Sequence, residues 1–171
     1  MKRMLPVLLL GSILLTACGL NPSNGVSTPS TEPNSNNGGE IYSSNGERIY
    51  FTAIDQAGNP IPSTGGPAYG AMIGDTLACV TCHGPEGRGS GNLLHMQWID
   101  ARPIYYGALV QLKQQIAGGT PQPGGYTLDD FRRAVVEGER PDGVRLNPNM
   151  PRWQMDDTDL SDLFDFIKTL P

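Results

Sequence analysis

Residues 79–83 read Cys-Val-Thr-Cys-His, and no other five positions restrict the chain as much. Two cysteines three positions apart can reach the two vinyl groups on one edge of a porphyrin and form thioethers. The adjacent histidine can then turn a ring nitrogen toward the iron. The order C-x-x-C-H is the attachment signature of a covalently held haem. The fold must therefore leave room for a large apolar group beside these residues. A thioredoxin-like redox pair would need a βαβ context, and the sequence offers none. A zinc site would need a second pair of Cys or His ligands, and His95 is the single histidine outside the motif. A structural disulfide between Cys79 and Cys82 is the remaining alternative.

The composition fits a domain built around a cofactor. Apolar residues make up 38%, with 22 Gly and 15 Pro. That predicts a loop-rich domain with a modest core, which a large apolar group would help to fill. The formal charge of −5 becomes −7 if a leader carrying Lys2 and Arg3 is removed. An acidic chain with no basic tract longer than Arg132-Arg133 is unsuited to nucleic acid or anionic headgroups.

The N-terminal region has a different character. Lys2 and Arg3 precede the apolar run Leu5 to Leu15, too short to span a bilayer as a helix, and Leu15-Thr16-Ala17-Cys18 follows. This order resembles the lipobox of bacterial lipoproteins. The resemblance implies a signal peptide over 1–17, cut before Cys18, and a diacylglycerol on the Cys18 sulfur. Several acyl chains hold a protein on a membrane where one does not. Residues 19–39 are Ser, Asn, Pro, Gly and Thr with few aliphatics. With the lipidated cysteine they form a disordered tether over 18–39, with an r.m.s. reach of roughly 25 Å.

The folded domain is expected over 40–171. Ile41 to Phe51 suggests a first helix. Residues 55–70 are too rich in Gly and Pro for a regular helix. Ala68 to Ala78 predicts a short helix, Gly84 to Gly91 a flexible loop, and Tyr105 to Ala117 a helix ended by Gly118-Gly119. Thr127 is the expected N-cap of a helix reaching Glu137, with Asp129 and Asp130 at its positive end. Leu160, Leu163, Phe164, Ile167 and Leu170 follow the helical period in a last helix over about 157–169, capped by Thr158 or Asp157. No strand pattern is visible.

Several of these stretches fit together. Cys82-His83-Gly84-Pro85-Glu86-Gly87-Arg88-Gly89 follows a CHGxxGxG pattern. Phe131 to Leu170 carries Val136-Glu137-Gly138, Pro141-Asp142-Gly143, Asn149-Met150-Pro151-Arg152-Trp153 and a terminal Phe166-Ile167-Lys168-Thr169-Leu170. In these features residues 40–171 resemble the cytochrome c family. The resemblance implies an all-α, cytochrome c-like fold: short helices around one covalent haem c, joined by long loops. It implies Cys79 and Cys82 as attachment points and His83 as an iron ligand. The Met of a Met-Pro pair is the second axial ligand in such proteins, which points to Met150. It also implies that the aromatic of the last helix packs on the first helix, where Gly46 and Tyr50 fit. A proline carbonyl orients the histidine in the family, and Pro103 is the candidate. The chain departs from the pattern in an insertion over 52–78, with Cys79 lying 29 positions after Tyr50, and in the long stretch from His83 to Pro103.

The sixth ligand sets the function. A thioether favours reduced iron and suits electron transfer, a second imidazole lowers the potential, and an open position permits ligand binding or peroxide chemistry. Met150 is flanked by Pro148 and Pro151, so its loop is stiff. His95 and Met96 are the rivals. Met155 and Met72 are read as packing residues. Trp98, Tyr105, Tyr106, Tyr126 and Trp153 are assigned to the haem pocket and core. Arg145 and Arg152 either pair with haem propionates or lie solvated. The acids Asp156, Asp157, Asp159, Asp162 and Asp165 serve capping and solubility, and can steer a basic partner.

The expected function is electron transfer by a membrane-anchored mono-haem cytochrome, an electron carrier rather than an enzyme, on the outer face of a bacterial membrane. Its expected partners are membrane-bound or periplasmic redox proteins, with the membrane reached through the lipid and no role for nucleic acid. The architecture is similar to that of the mono-haem lipoprotein subunits of respiratory assemblies, including alternative complex III. The alternative is a peroxidase-like haem enzyme or gas sensor with an open sixth position.

Overall fold

The computed structural model describes residues 42–67, 77–94 and 97–171. The expected signal peptide, Cys18 and tether lie outside the described residues, as do the rivals His95 and Met96, Met72, and most of the helix expected over 68–78. Residues 39–171 form one compact unit.

The first helix starts where the chain supplies a cap. Ser44 is extended, and its hydroxyl accepts the amide of Glu47 at 3.0 Å. Helix α1 (Asn45–Thr52) ends at Ala53, which takes a left-handed φ of 54° and donates its amide to Ile49 O. Its buried side holds Gly46, Ile49 and Tyr50. Strand β1 (Ser63–Thr64) and helix α2 (Cys79–His83) follow. Strands β2 (Ser90–Leu94) and β3 (Gln97–Ala101) pair antiparallel, with Ser90 opposite Ala101 and Leu94 opposite Gln97. Helix α3 spans Tyr106–Ile116. Helix α4 (Leu128–Arg132) begins with a reciprocal capping box between Thr127 and Asp130, then widens into a π-helical turn over Arg133–Glu137. Strand β4 (Arg152–Trp153) pairs with β1, and helix α5 (Asp157–Thr169) closes the chain.

The core forms where α5 meets α1 and α4. A 13-residue helix is marginal alone. Leu160 and Leu163 are fully buried, however, and Phe164 and Ile167 nearly so. Each such side chain contributes about 1.5–3 kcal/mol, so packing rather than propensity holds α5. The α1/α5 crossing is close because Gly46 lies against the Asp162 carbonyl, where an added Cβ would sit 1.9 Å from the oxygen. Tyr50 meets Phe166 at 5.3 Å between ring centroids, and Asn45 Nδ2 donates to Asp159 and Asp162. This is the partnership expected of Gly46, Tyr50 and the last-helix aromatic.

Four local expectations need correction. The strand pair β2–β3 was not expected, since Ser90-Gly91-Asn92 and Gln97-Trp98-Ile99-Asp100-Ala101 carry few β-branched residues and no run long enough to mark a strand. The loop expected from Gly84 to Gly91 accordingly ends at Ser90. Residues 77 and 78 are not helical. The cap of α5 is Asp156, whose carboxylate accepts the amide of Asp159 at 2.8 Å, so Asp157 and Thr158 already lie inside the helix.

Candidate functional site

Helix α2 is short, but it sets three side chains around one turn. Cys79 and Cys82, three positions apart, share a face, and His83 follows directly. All three line a cavity of about 510 Å³, within the ordinary range of ligand sites. Leu109, Tyr126, Phe131, Val135 and Trp153 supply apolar walls. Met150 lines the same cavity, so the structure brings together the four residues expected at the haem.

His83 is oriented from behind. Its Nδ1 lies 2.9 Å from the carbonyl oxygen of Arg102. A carbonyl can only accept, so Nδ1 carries the proton and the Nε2 lone pair remains available to a metal. Burial lowers the His83 pKa, against the opposing effect of the Arg102 bond, so the ring is neutral as a ligand must be. The expectation had been the carbonyl of Pro103. The bond comes one residue earlier because Pro103 holds Arg102 extended, and the Arg102 carbonyl is left outside any helix or ladder. Behind the motif, the Tyr50 hydroxyl donates to Gly84 O at 2.5 Å and ties α1 to the end of α2.

The two thiols are not joined in a disulfide. Burial pushes the Cys79 thiol up to about 12 and raises that of Cys82 as well. A dithiol redox centre needs the opposite shift. Among the described residues no group of three or more His, Cys, Asp or Glu side chains is placed to hold a metal ion. The neutral imidazole, the paired thiols and the apolar cavity fit a covalently held haem.

The Met150 loop is braced from within. The Arg152 guanidinium donates to the carbonyls of Met150, Pro151, Leu146 and Asn147. It fits against Gly138, where a Cβ would collide with Arg152 Nε and where φ is +72°. Arg152 is half-buried, is not among the residues lining the cavity, and directs its guanidinium to these loop carbonyls. Arg145 lines the cavity and donates to Glu137 O. Trp98 lines the cavity but is 66% exposed, so it does not belong to the core. Tyr126 and Trp153 do belong to it, Tyr106 packs against it, and Tyr105 lies under Arg88 instead. Met155 packs against the core, as expected. The acids of α5 are largely engaged locally: Asp156 caps, Asp157 pairs with Arg132, Asp159 and Asp162 receive Asn45, and Asp165 pairs with Lys168.

Sequence reasoning did not find the Arg102 carbonyl, the Arg152 brace or the contacts of residues 60–67 described below. Each ends on a backbone carbonyl or amide, which residue identity does not reveal.

Compared with known families, residues 67–171 match Cytochrome c. Neither the search of curated proteins nor that of solved structures gave a significant match. The family match covers more than half the chain and falls on the cavity and its Cys79–His83 motif, and so this chain belongs to the cytochrome c family, binds haem c covalently with its iron, and transfers electrons through it.

Proposed function

We propose that the chain is a lipid-anchored mono-haem electron carrier, in which His83 and Met150 would ligate the iron and Cys79 and Cys82 would hold the porphyrin through thioethers. When bound, the haem supplies an iron that changes oxidation state without making or breaking a substrate bond. His83 presents a neutral ring whose Nδ1 proton is held by Arg102. Met150 enters the same cavity from a loop stiffened by Pro148, Pro151 and the Arg152 brace. The apolar walls Leu109, Phe131, Val135 and Trp153 offer the porphyrin a packing surface. The single observation that carries this reading is that Met150 and His83 line one apolar cavity.

Cys18, the leader before it and the tether after it support an anchor on the outer face of a bacterial membrane. Among the described residues no helix is long and apolar enough to cross a membrane. Membrane-bound or periplasmic redox proteins are the partners this placement suits, including those of a respiratory assembly such as alternative complex III.

Optical and near-infrared spectra of the holoprotein test the ligands. The wild type should show c-type haem bands and a methionine–iron charge-transfer band that vanishes in Met150→Ala. A band that survives the substitution would reject Met150, and tight carbon monoxide binding by the reduced wild type would favour the open-site alternative. For the anchor, Cys18→Ser should move the protein from the membrane fraction to the soluble one.

A further inference from the structure

The insertion over 52–78 has a structural task in its described part. After Ala53 the chain turns through Asp55–Asn59, where Asp55 accepts the amides of Gly58 and Asn59. It returns to α1 through the Ile61 amide, which donates to Ala53 O at 2.9 Å, and Ile61 is buried. From there it runs along the Met150 loop. Pro62 O accepts the Gln154 amide at 2.8 Å. Ser63 and Thr64 pair with Trp153 and Arg152. The Gly66 amide donates to Pro148 O at 3.0 Å, and Pro67 is fully buried. These contacts bracket Met150: one lies at residue 148 before it, the others at 152–154 after it. The side chains of Ser63 and Thr64 are exposed, so the pairing is made by backbone. The family match begins at residue 67, so all but the last residue of this segment precede it.

We propose that residues 60–67 are a strap that holds Met150 in place as an iron ligand, with Gly66 as its main positioning residue. The inference rests on Met150 being that ligand. A thioether is a weak, neutral ligand that water, hydroxide or an added anion can displace, so its residence depends on how firmly its loop is held. The Arg152 brace ties the loop to itself, whereas the strap ties both its flanks to α1 and the core. Gly66 is central because it has a φ of +93°, and an added Cβ would sit 3.1 Å from Pro151 Cγ. A strap that merely covered the core would alter stability and leave ligand exchange unchanged.

The test uses ferric full-length holoprotein carrying Gly66→Ala, Gly66→Pro or Gly58→Ala. Gly58 also has a positive φ, but nothing lies within 4 Å of an added Cβ, so it controls for strain in the same segment. The rate at which cyanide displaces the methionine is followed through loss of the charge-transfer band. Gly66→Pro removes the amide donor and cannot adopt the native φ. It should exchange about tenfold faster than wild type, the factor expected for one lost hydrogen bond at the upper end of its usual worth. Gly66→Ala should exchange faster by a smaller factor, and Gly58→Ala at the wild-type rate, all with unchanged haem content and far-ultraviolet circular dichroism. If Gly66→Pro does not fold, Gly66→Ala carries the comparison. A wild-type band whose exchange is the same in the folded Gly66 variants overturns the strap alone. A wild type without the band overturns the Met150 assignment and the strap with it.

Discussion

At the scale of single residues, the site depends on atoms that hold other atoms still. Tyr50 contributes one hydroxyl to Gly84 O directly after the haem motif. Tyr50→Phe keeps the ring packed on Phe166 and deletes that bond, so it should destabilise the holoprotein by about 1 kcal/mol in urea unfolding. Arg152 has a larger share. Burial and the nearby Arg145 charge lower its pKa, in that order, yet guanidinium remains charged at any ordinary pH. A lysine cannot span the carbonyls of residues 146, 147, 150 and 151 with one ammonium. Arg152→Lys should therefore cost about 2–3 kcal/mol and weaken the methionine–iron band as pH rises. A band and unfolding midpoint equal to wild type would remove the brace from the account. The motif residues were legible at this scale because covalent chemistry demands their types. The partner of His83 was not, since any residue can present a carbonyl.

At the scale of elements, two features set the helices. The α1/α5 crossing depends on the missing side chain at Gly46, and a Cβ there meets backbone that cannot move alone. Gly46→Ala should cost about 2–3 kcal/mol, measured by thermal or urea unfolding, despite alanine's better helix propensity. Helix α4 depends on Asp130. Burial alone would raise its carboxyl pKa, but Lys113 and the amide and hydroxyl of Thr127 outweigh this and hold it below the ordinary carboxylate range. A carboxyl depressed in the folded state stabilises the fold fully above its unfolded pKa, near 3.9. That contribution is lost as pH falls through the folded value. Asp130→Asn should thus lower stability by about 1–2 kcal/mol at pH 7, and the difference should shrink below about pH 3.9. A gap independent of pH would mean that the cap geometry rather than the charge matters. The caps at Thr127 and the last-helix stripe were readable from local chemistry and period. The cap lies at Asp156, one or two residues before the expected Asp157 or Thr158, because all four residues from 156 to 159 can accept an amide.

At the scale of the whole molecule, α1 and α5 pack into a closed core, while α2, α3 and α4 with the Met150 loop line the cavity beside it. Haem seated in this cavity of about 510 Å³ gives its apolar walls the packing partner they otherwise lack. The double variant Cys79→Ser, Cys82→Ser, which cannot attach haem, should lose its cooperative thermal transition in circular dichroism. A sharp melt near that of the holoprotein would show that the chain closes its core without the group. The sequence by itself determined the cofactor, its Cys79–His83 motif and the helical class, because thioether attachment, capping and the 3.6-residue period are local demands on side-chain type. Only the tertiary structure decided which carbonyl steadies His83, why the chain carries residues 60–67, and how the Met150 loop is held. Those contacts join backbone atoms far apart in the chain, and nearly every residue carries the same amide and carbonyl.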